Sequence, residues 1–221
     1  MLSLAPALLL TLEALAASPA AFQRGLADDA GWVQVATKRH PSVGEIRVRH
    51  KRIAGLDCLE GIAHTTAPID GMLAAAMDFE GIPSWSSADL LDSAALGQGN
   101  PVDFYQVLDT PFPLKDRYWF LRGTTLRATD GTTEFRWEDI DADALHPAAH
   151  KRVQAAHPDA IPTGVNVGAW VFVPQGAQTQ VHYRLCSDPG GKIPEWAGHM
   201  AAKIALPTNV ADIIERAQGK R

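Results

Sequence analysis

Few side chains in this 221-residue chain stand at spacings that chemistry would use. Glu60 and His64 share one face of a predicted strand. A carboxylate near an imidazole can do acid–base work, provided both point into a cavity and meet a hydrogen-bonding partner; surface charge on a strand explains the same pair. Asp141, Asp143, His146, His150 and His157 gather ligand-type groups in one polar stretch. Their spacing matches no established metal site, and each type is at home in an exposed loop or short helix. No metal and no cofactor is therefore expected. Phosphate-cradling glycine loops, paired CxxC and HExxH are absent. Cys58 and Cys186 both fall in predicted strands, as a disulfide in an exported chain or as two separate buried thiols. The remaining candidates are aromatic. Trp119 and Leu121, Phe135 and Trp137, Trp170 and Phe172, and Tyr183 and Leu185 lie in strands whose inner face they would line. Rings of this size either fill a core or wall an apolar pocket.

The elements that must position these residues are legible from patterning. The composition, 46% apolar and 20% charged with a net charge of −5, describes one globular domain and argues against a nucleic-acid or anionic-membrane surface. Leu2 to Ala17 is nearly all Leu and Ala and is followed by Ser18, Pro19, Ala20 and Ala21, the form of a secretory signal peptide over residues 1–21. The alternative is an N-terminal helix packed on a cytoplasmic domain. Strands are predicted from Trp32 to Thr37, Ile46 to Ile53 and Cys58 to Thr66, forming an antiparallel meander. A helix follows from Ile69 to Phe79, ended by Gly81 and Pro83, and Ala88 to Ala95 reads as a short helical turn. Further strands are predicted over Asp103–Asp109, Tyr118–Leu121, Thr132–Asp139, Gly168–Pro174 and Gln178–Ser187. After the turn Asp188-Pro189-Gly190-Gly191 comes a long helical pattern in which Trp196, Met200 and Ile204 fall four apart on one face. Pro207 should break that helix, which resumes after Thr208 or Asn209.

Two stretches carry a family resemblance. Pro113-Leu114-Lys115-Asp116-Arg117 is similar to the Pro-x-x-Asp-Arg-Asp stretch of the START family, the lipid-transfer domains related to the steroidogenic acute regulatory protein. Asp188-Pro189-Gly190-Gly191-Lys192-Ile193-Pro194-Glu195-Trp196 is similar to that family's Asp-Pro-Gly-Gly-x-Ile-Pro-x-Trp signature, and Trp32, Pro83-x-Trp85 and Gly168-x-Trp170 fall in the right order. The chain resembles the bacterial exported members over residues 31–218.

The resemblance implies an α+β helix-grip fold, a curved antiparallel sheet wrapped around the long C-terminal helix, with room for one lipid or sterol between them. It implies a non-catalytic carrier acting as a monomer with transient membrane contact. Its ligand-lining residues would be Trp119, Leu121, Phe135, Trp137, Trp170, Phe172, Tyr183, Leu185, Trp196, Met200 and Ile204. It also implies that the Cys58 strand pairs with the Cys186 strand, bringing the two cysteines together. The chain departs from the family at Tyr118, where the motif's second Asp would stand, and at Ile161, Thr163, Val165 and Asn166, where an Arg is common. Arg122, Arg136, His182 and Arg184 remain as candidate polar anchors, although an unpaired buried Arg is costly and each reads better as an outward-facing strand residue; the loop around Asn100 and the helix near Pro207 are candidate gates. Two rival readings share the pattern: a polyketide cyclase-like enzyme using the same cavity, and an envelope protein-interaction module with a filled core.

Overall fold

The structure, a computed structural model, describes residues 18–191 and 205–221. Ten strands of the described residues form one sheet in the order β1-β2-β3-β10-β9-β7-β6-β5-β4, with β8 paired to β6. The strands are β1 Val33–His40, β2 Gly44–Ile53, β3 Leu56–Thr65, β4 Leu90–Ala95, β5 Val102–Leu108, β6 Arg117–Arg127, β7 Thr133–Asp139, β8 Ile161–Pro162, β9 Val165–Gln175 and β10 Gln178–Asp188. Every neighbouring pair along that order is antiparallel; only the short β6–β8 pairing is parallel. The final strand β10 lies between β3 and β9, joining the N-terminal meander to the C-terminal hairpin. Six helices of the described residues flank the sheet: α1 Pro19–Ala27, α2 Ile69–Ala76, α3 Ile82–Trp85, α4 Ala142–Leu145, α5 Pro147–Ala156 and α6 Leu206–Ala217.

Strand side chains alternate between faces, and the two faces of this sheet are covered differently. The inner face meets α2 and α6 in one cluster that includes Ile46, Ala63, Met72, Phe79, Phe104, Phe135, Trp170, Phe172, Val210 and Ile214. On the outer face, Phe22 and Leu26 of α1 pack over Ile53, Cys58, Val167 and Cys186. Ala149 and Val153 of α5 pack over Tyr105, Val107, Tyr118 and Phe120.

Three sequence expectations change. The stretch expected as a helical turn at Ala88–Ala95 is instead the edge strand β4, paired with β5; its Leu and Ala favour a helix, but the ladder supplies the hydrogen bonds that decide it. The domain starts earlier than residue 31, because Phe22 and Leu26 are 3% and 1% exposed and Gln23 Nε2 donates to the carbonyls of Trp137 and Gly168. A leader reaching residue 21 would therefore take the first turn of α1 with it, whereas one ending at Ala17 leaves the helix whole. Pro207 sits in the first turn of α6, where its missing N–H is not needed, so the helix runs through Leu206 and Pro207 rather than resuming after Thr208 or Asn209. The expected continuity with Trp196, Met200 and Ile204 lies outside the described residues.

Cys58 and Cys186 are directly opposed in the β3–β10 ladder and form a disulfide, buried beneath α1. The pairing follows the strand order implied by the family resemblance.

Candidate functional site

The ladder registers put Trp119, Leu121, Phe135, Trp137, Trp170, Phe172, Tyr183 and Leu185 on the inner face. Tyr183 opposes Trp170, Phe135 opposes Trp170 from the other side, and Leu185 and Trp137 both oppose Gly168. The rings form a continuous wall. Trp170 stacks on Tyr183 with centroids 4.1 Å apart, Trp137 tilts toward Tyr183 at 6.0 Å, and Phe79 stacks on Phe104 at 4.2 Å. Glycines make room for them. A Cβ on Gly168 would lie 2.3 Å from Trp137 Cζ2, and one on Gly123 would lie 2.4 Å from Phe135 Cζ. The aromatic rings thus lie flat across neighbouring glycines, and Gly61 lets Leu206 and Val210 of α6 settle directly on β3.

Burial is uneven along this wall. Phe135 and Phe172 are 2% and 0% exposed, whereas Trp119, Tyr183 and Leu185 keep accessible surface. Burial pushes the Tyr183 phenol up to about 12, with the Asn209 side chain pulling the other way. Trp196, Met200 and Ile204, expected to close this wall, lie outside the described residues.

The inner face also carries a polar row that the sequence did not reveal. Ser93 opposes Gln106 in the β4–β5 ladder, and Gln106 opposes Trp119 in the β5–β6 ladder. Trp119 Nε1 donates to Gln106 Oε1 at 3.1 Å. Among the described residues the buried Ser93 hydroxyl has no hydrogen-bond partner. Finding this row required knowing that β4 is a strand.

The candidate anchors Arg122 and Arg136 do not face the wall. Arg122 donates two hydrogen bonds to Asp103 on the outer face, at 2.7 and 2.8 Å, and Arg136 is exposed. The same alternation that turns Leu121, Phe135 and Trp137 inward turns both arginines outward. His146 joins the Asp103 pair at 2.8 Å. Arg122 foremost, with His146, holds the Asp103 carboxyl below its ordinary value against the opposing effect of burial.

The acid–base pair also lies outside. Glu60 is fully buried on the outer face, where it accepts from His182 Nδ1 and Arg184 Nε at 2.8 Å each and pairs with Arg49. Burial alone would push its carboxyl up, but the hydrogen bonds and charges of His182 and Arg184 outweigh that and hold it at about 2. His64 is exposed. The polar stretch forms α4 and α5, whose histidines serve packing: His150 lies between Tyr118 Oη at 3.1 Å and Asp143 at 2.7 Å.

The two family-like motifs meet in space. Arg117 is 5% exposed, and its guanidinium donates to the carbonyls of Pro189 and Gly190 and to that of Lys115. Gly190 has a φ of +67°, and a Cβ there would lie 2.8 Å from the Pro162 carbonyl oxygen, so the turn requires glycine. Arg117 therefore fixes the turn from which the C-terminal segment departs. The Asn100 loop, expected as a gate, is tied to β6 by paired hydrogen bonds between its amide side chain and the Thr125 backbone, both 2.8 Å.

No family model matches the chain. An uncharacterised protein of Pseudomonas aeruginosa is 25% identical over 162 residues, covering 73% of this chain and 75% of that one. Among solved structures, a STAR-related lipid transfer protein fragment from Xanthomonas axonopodis superposes with a TM-score of 0.67 at 21% identity, covering 85% of this chain and 99% of that one. The human StAR-related lipid transfer protein 5 superposes with a TM-score of 0.68 at 11% identity, covering 90% and 91%. With its open antiparallel sheet, its C-terminal helix and these structural matches, the chain has the helix-grip fold of the START-domain structures.

Proposed function

We propose that this protein binds one hydrophobic small molecule, a lipid or a sterol, between the aromatic inner face and the C-terminal helix, and carries it between membranes. The observation that carries this reading is the accessible surface of Trp119, Tyr183 and Leu185 within an otherwise sealed aromatic wall. An apolar guest gains roughly 0.8 kcal/mol per CH₂ removed from water, so such a wall holds a lipid with few polar contacts. The superposed bacterial and human proteins are lipid-transfer proteins by name, which supports the same reading. The buried Cys58–Cys186 disulfide suits an oxidising compartment and supports export, with the Leu- and Ala-rich N-terminus as leader.

Binding is favoured over catalysis because the acid–base pair read from the sequence stands away from the inner wall: Glu60 is locked into outer-face ion pairs and His64 is exposed. Native mass spectrometry of the protein purified from its own source tests the reading. The expected spectrum shows one lipid or sterol per chain, released on denaturation. A chain that carries no small molecule, and whose tryptophan emission is unmoved by added lipid extract, would overturn it.

A further inference from the structure

The helix α6 is followed by a device that turns the chain back on itself. Gly219 has a φ of +69°, where a residue with a side chain is strained. Its N–H donates to the Arg216 carbonyl and the Lys220 N–H to the Glu215 carbonyl, the two bonds of a left-handed helix stop. The reversal brings Arg221 alongside the helix it follows. There its guanidinium reaches Asp212 at 2.9 Å, Glu215 at 2.8 Å and the Trp85 carbonyl of α3 at 2.9 Å. Asp212 is 1% exposed and also accepts from the Ser87 N–H and hydroxyl, at 2.5 and 3.1 Å. Ser42, in the turn between β1 and β2, donates to Glu215. Two carboxylates of α6 are thus shared among Arg221, the β1–β2 turn and the link from α3 to β4. Along the same helix Val210, Ala211 and Ile214 are fully buried, and Gly61 admits Leu206 and Val210 directly onto β3. Lifting α6 would return these apolar side chains to water and strip a buried carboxylate of its donors in the same movement.

We infer that α6 is the fixed jaw of the grip, locked by an ionic latch centred on Arg221, and that a guest enters and leaves without α6 parting from the sheet. The second half of this inference rests on the carrier reading; the first does not. Arg221 is a positioning residue, acting through Asp212 and Glu215. Of the two gates that the sequence suggested, the helix near Pro207 is therefore held in place, just as the Asn100 loop is tied to β6.

Amide hydrogen exchange of the intact, oxidised protein, with no ligand added, tests the lock. The α6 amides are expected to exchange in step with those of β3 and β10, through unfolding of the whole domain. Arg221→Ala should speed α6 exchange about 10- to 100-fold and leave β3 and β10 unchanged. Arg221→Lys keeps the charge without the fork that reaches three acceptors, and should fall between. An arginine that merely added to overall stability would shift all three elements together. Amides of α6 that open on their own in the wild type, or that ignore Arg221→Ala, overturn the lock. Guest exchange is followed as the passage of fluorescently labelled cholesterol from the protein to phosphatidylcholine vesicles. In the double variant Ser42→Cys with Glu215→Cys, a short bifunctional thiol reagent ties α6 to the β1–β2 turn, the native cysteines being buried in their disulfide. Release is expected to stay within about twofold of the same variant left unbridged. If bridging stops release, α6 is the gate and the inference is overturned. If the labelled cholesterol never binds, the carrier reading falls and takes the guest's route with it, while hydrogen exchange still decides the latch.

Discussion

The two faces of the sheet are built from the same strands and hold opposite chemistry. On β3, Gly61 and Ala63 face inward against α6 and the apolar cluster, while Glu60, between Gly61 and Leu59, faces outward into a ring of Arg49, His182 and Arg184. On β7, Phe135 and Trp137 face inward, and Arg136 between them faces solvent. The outer face resolves its charges by pairing and is sealed by α1 and α5. The inner face keeps rings, glycines and a few polar groups, with the Asp139 carboxyl at its margin, and part of it remains accessible. The sheet thus works as a partition, with ionic structure on one side and, on the function proposed, the place of an apolar guest on the other.

The largest expected effect comes from breaking the ionic side. Glu60→Ala leaves Arg49, His182 and Arg184 around a buried hole, and removing one partner of a buried ion network costs about 3–5 kcal/mol. Chemical denaturation should show that loss while the affinity for a lipid probe, measured well below the unfolding transition, stays within about twofold if the partition holds. Acid should reproduce part of it. The folded Glu60 carboxyl lies at about 2, below its ordinary 4.5, so its contribution is fully present above about pH 4.5 and is lost as the pH falls toward 2. By linkage the contribution is on the order of 3 kcal/mol. An unchanged denaturation midpoint for Glu60→Ala would mean the outer ring holds nothing together.

The next effect falls on the wall itself. A Cβ at Gly168 would meet Trp137 Cζ2 at 2.3 Å and the Arg184 carbonyl oxygen at 2.5 Å, and the latter is backbone of the neighbouring strand. Overpacking of this kind costs about 1–3 kcal/mol. Gly168→Ala should therefore destabilise less than Glu60→Ala but, unlike it, push Trp137 toward the guest's space. The expected signature is a changed tryptophan emission together with weakened lipid binding. If affinity survives while stability drops, Trp137 belongs to the core and not to the guest's wall.

Much of this arrangement could be read from the chain, and the failures have physical causes. Period-two alternation was enough to place the eight ring and leucine positions from Trp119 to Leu185 on one face, because each lies in a long strand with little competing signal. The same alternation turns Arg122 and Arg136 outward, away from the wall that their chemistry would suit. β4 was illegible because Leu90, Leu91, Ala94 and Ala95 favour a helix and only the ladder to β5 makes them a strand. Without β4 the Ser93–Gln106–Trp119 row cannot be assembled, since it depends on the registers of three strands. α1 was hidden for another reason: its Pro-Ala-Ala start is also the ending of a leader, and only the burial of Phe22 and Leu26 separates the two. The Arg117 contact with the Pro189–Gly190 turn joins motifs that the sequence shows 72 and 73 residues apart.

The smallest expected effect lies where the two faces meet. Asp139 continues the inward series of Phe135 and Trp137 at the end of β7, and its Oδ2 accepts from the backbone N–H of Asn166 at 2.6 Å. No cation pairs with it among the described residues, and burial pushes its carboxyl up from 3.8 to about 6, with the Asn166 N–H opposing. For an acid raised in this way, the stabilising contribution is fully present below about pH 3.8 and is lost as the pH rises through 6, the reverse of Glu60. At neutral pH the ionised group is therefore a burden, and because it is partly exposed the burden is discounted to about 1 kcal/mol. Asp139→Asn keeps an acceptor for the Asn166 N–H and removes the ionisation. It should stabilise the protein at pH 7 by roughly 2–4 °C in Tm, with the difference shrinking toward pH 4. A variant whose advantage is the same at every pH would owe it to packing, and Asp139 would then carry no ionic penalty at the margin of the apolar wall.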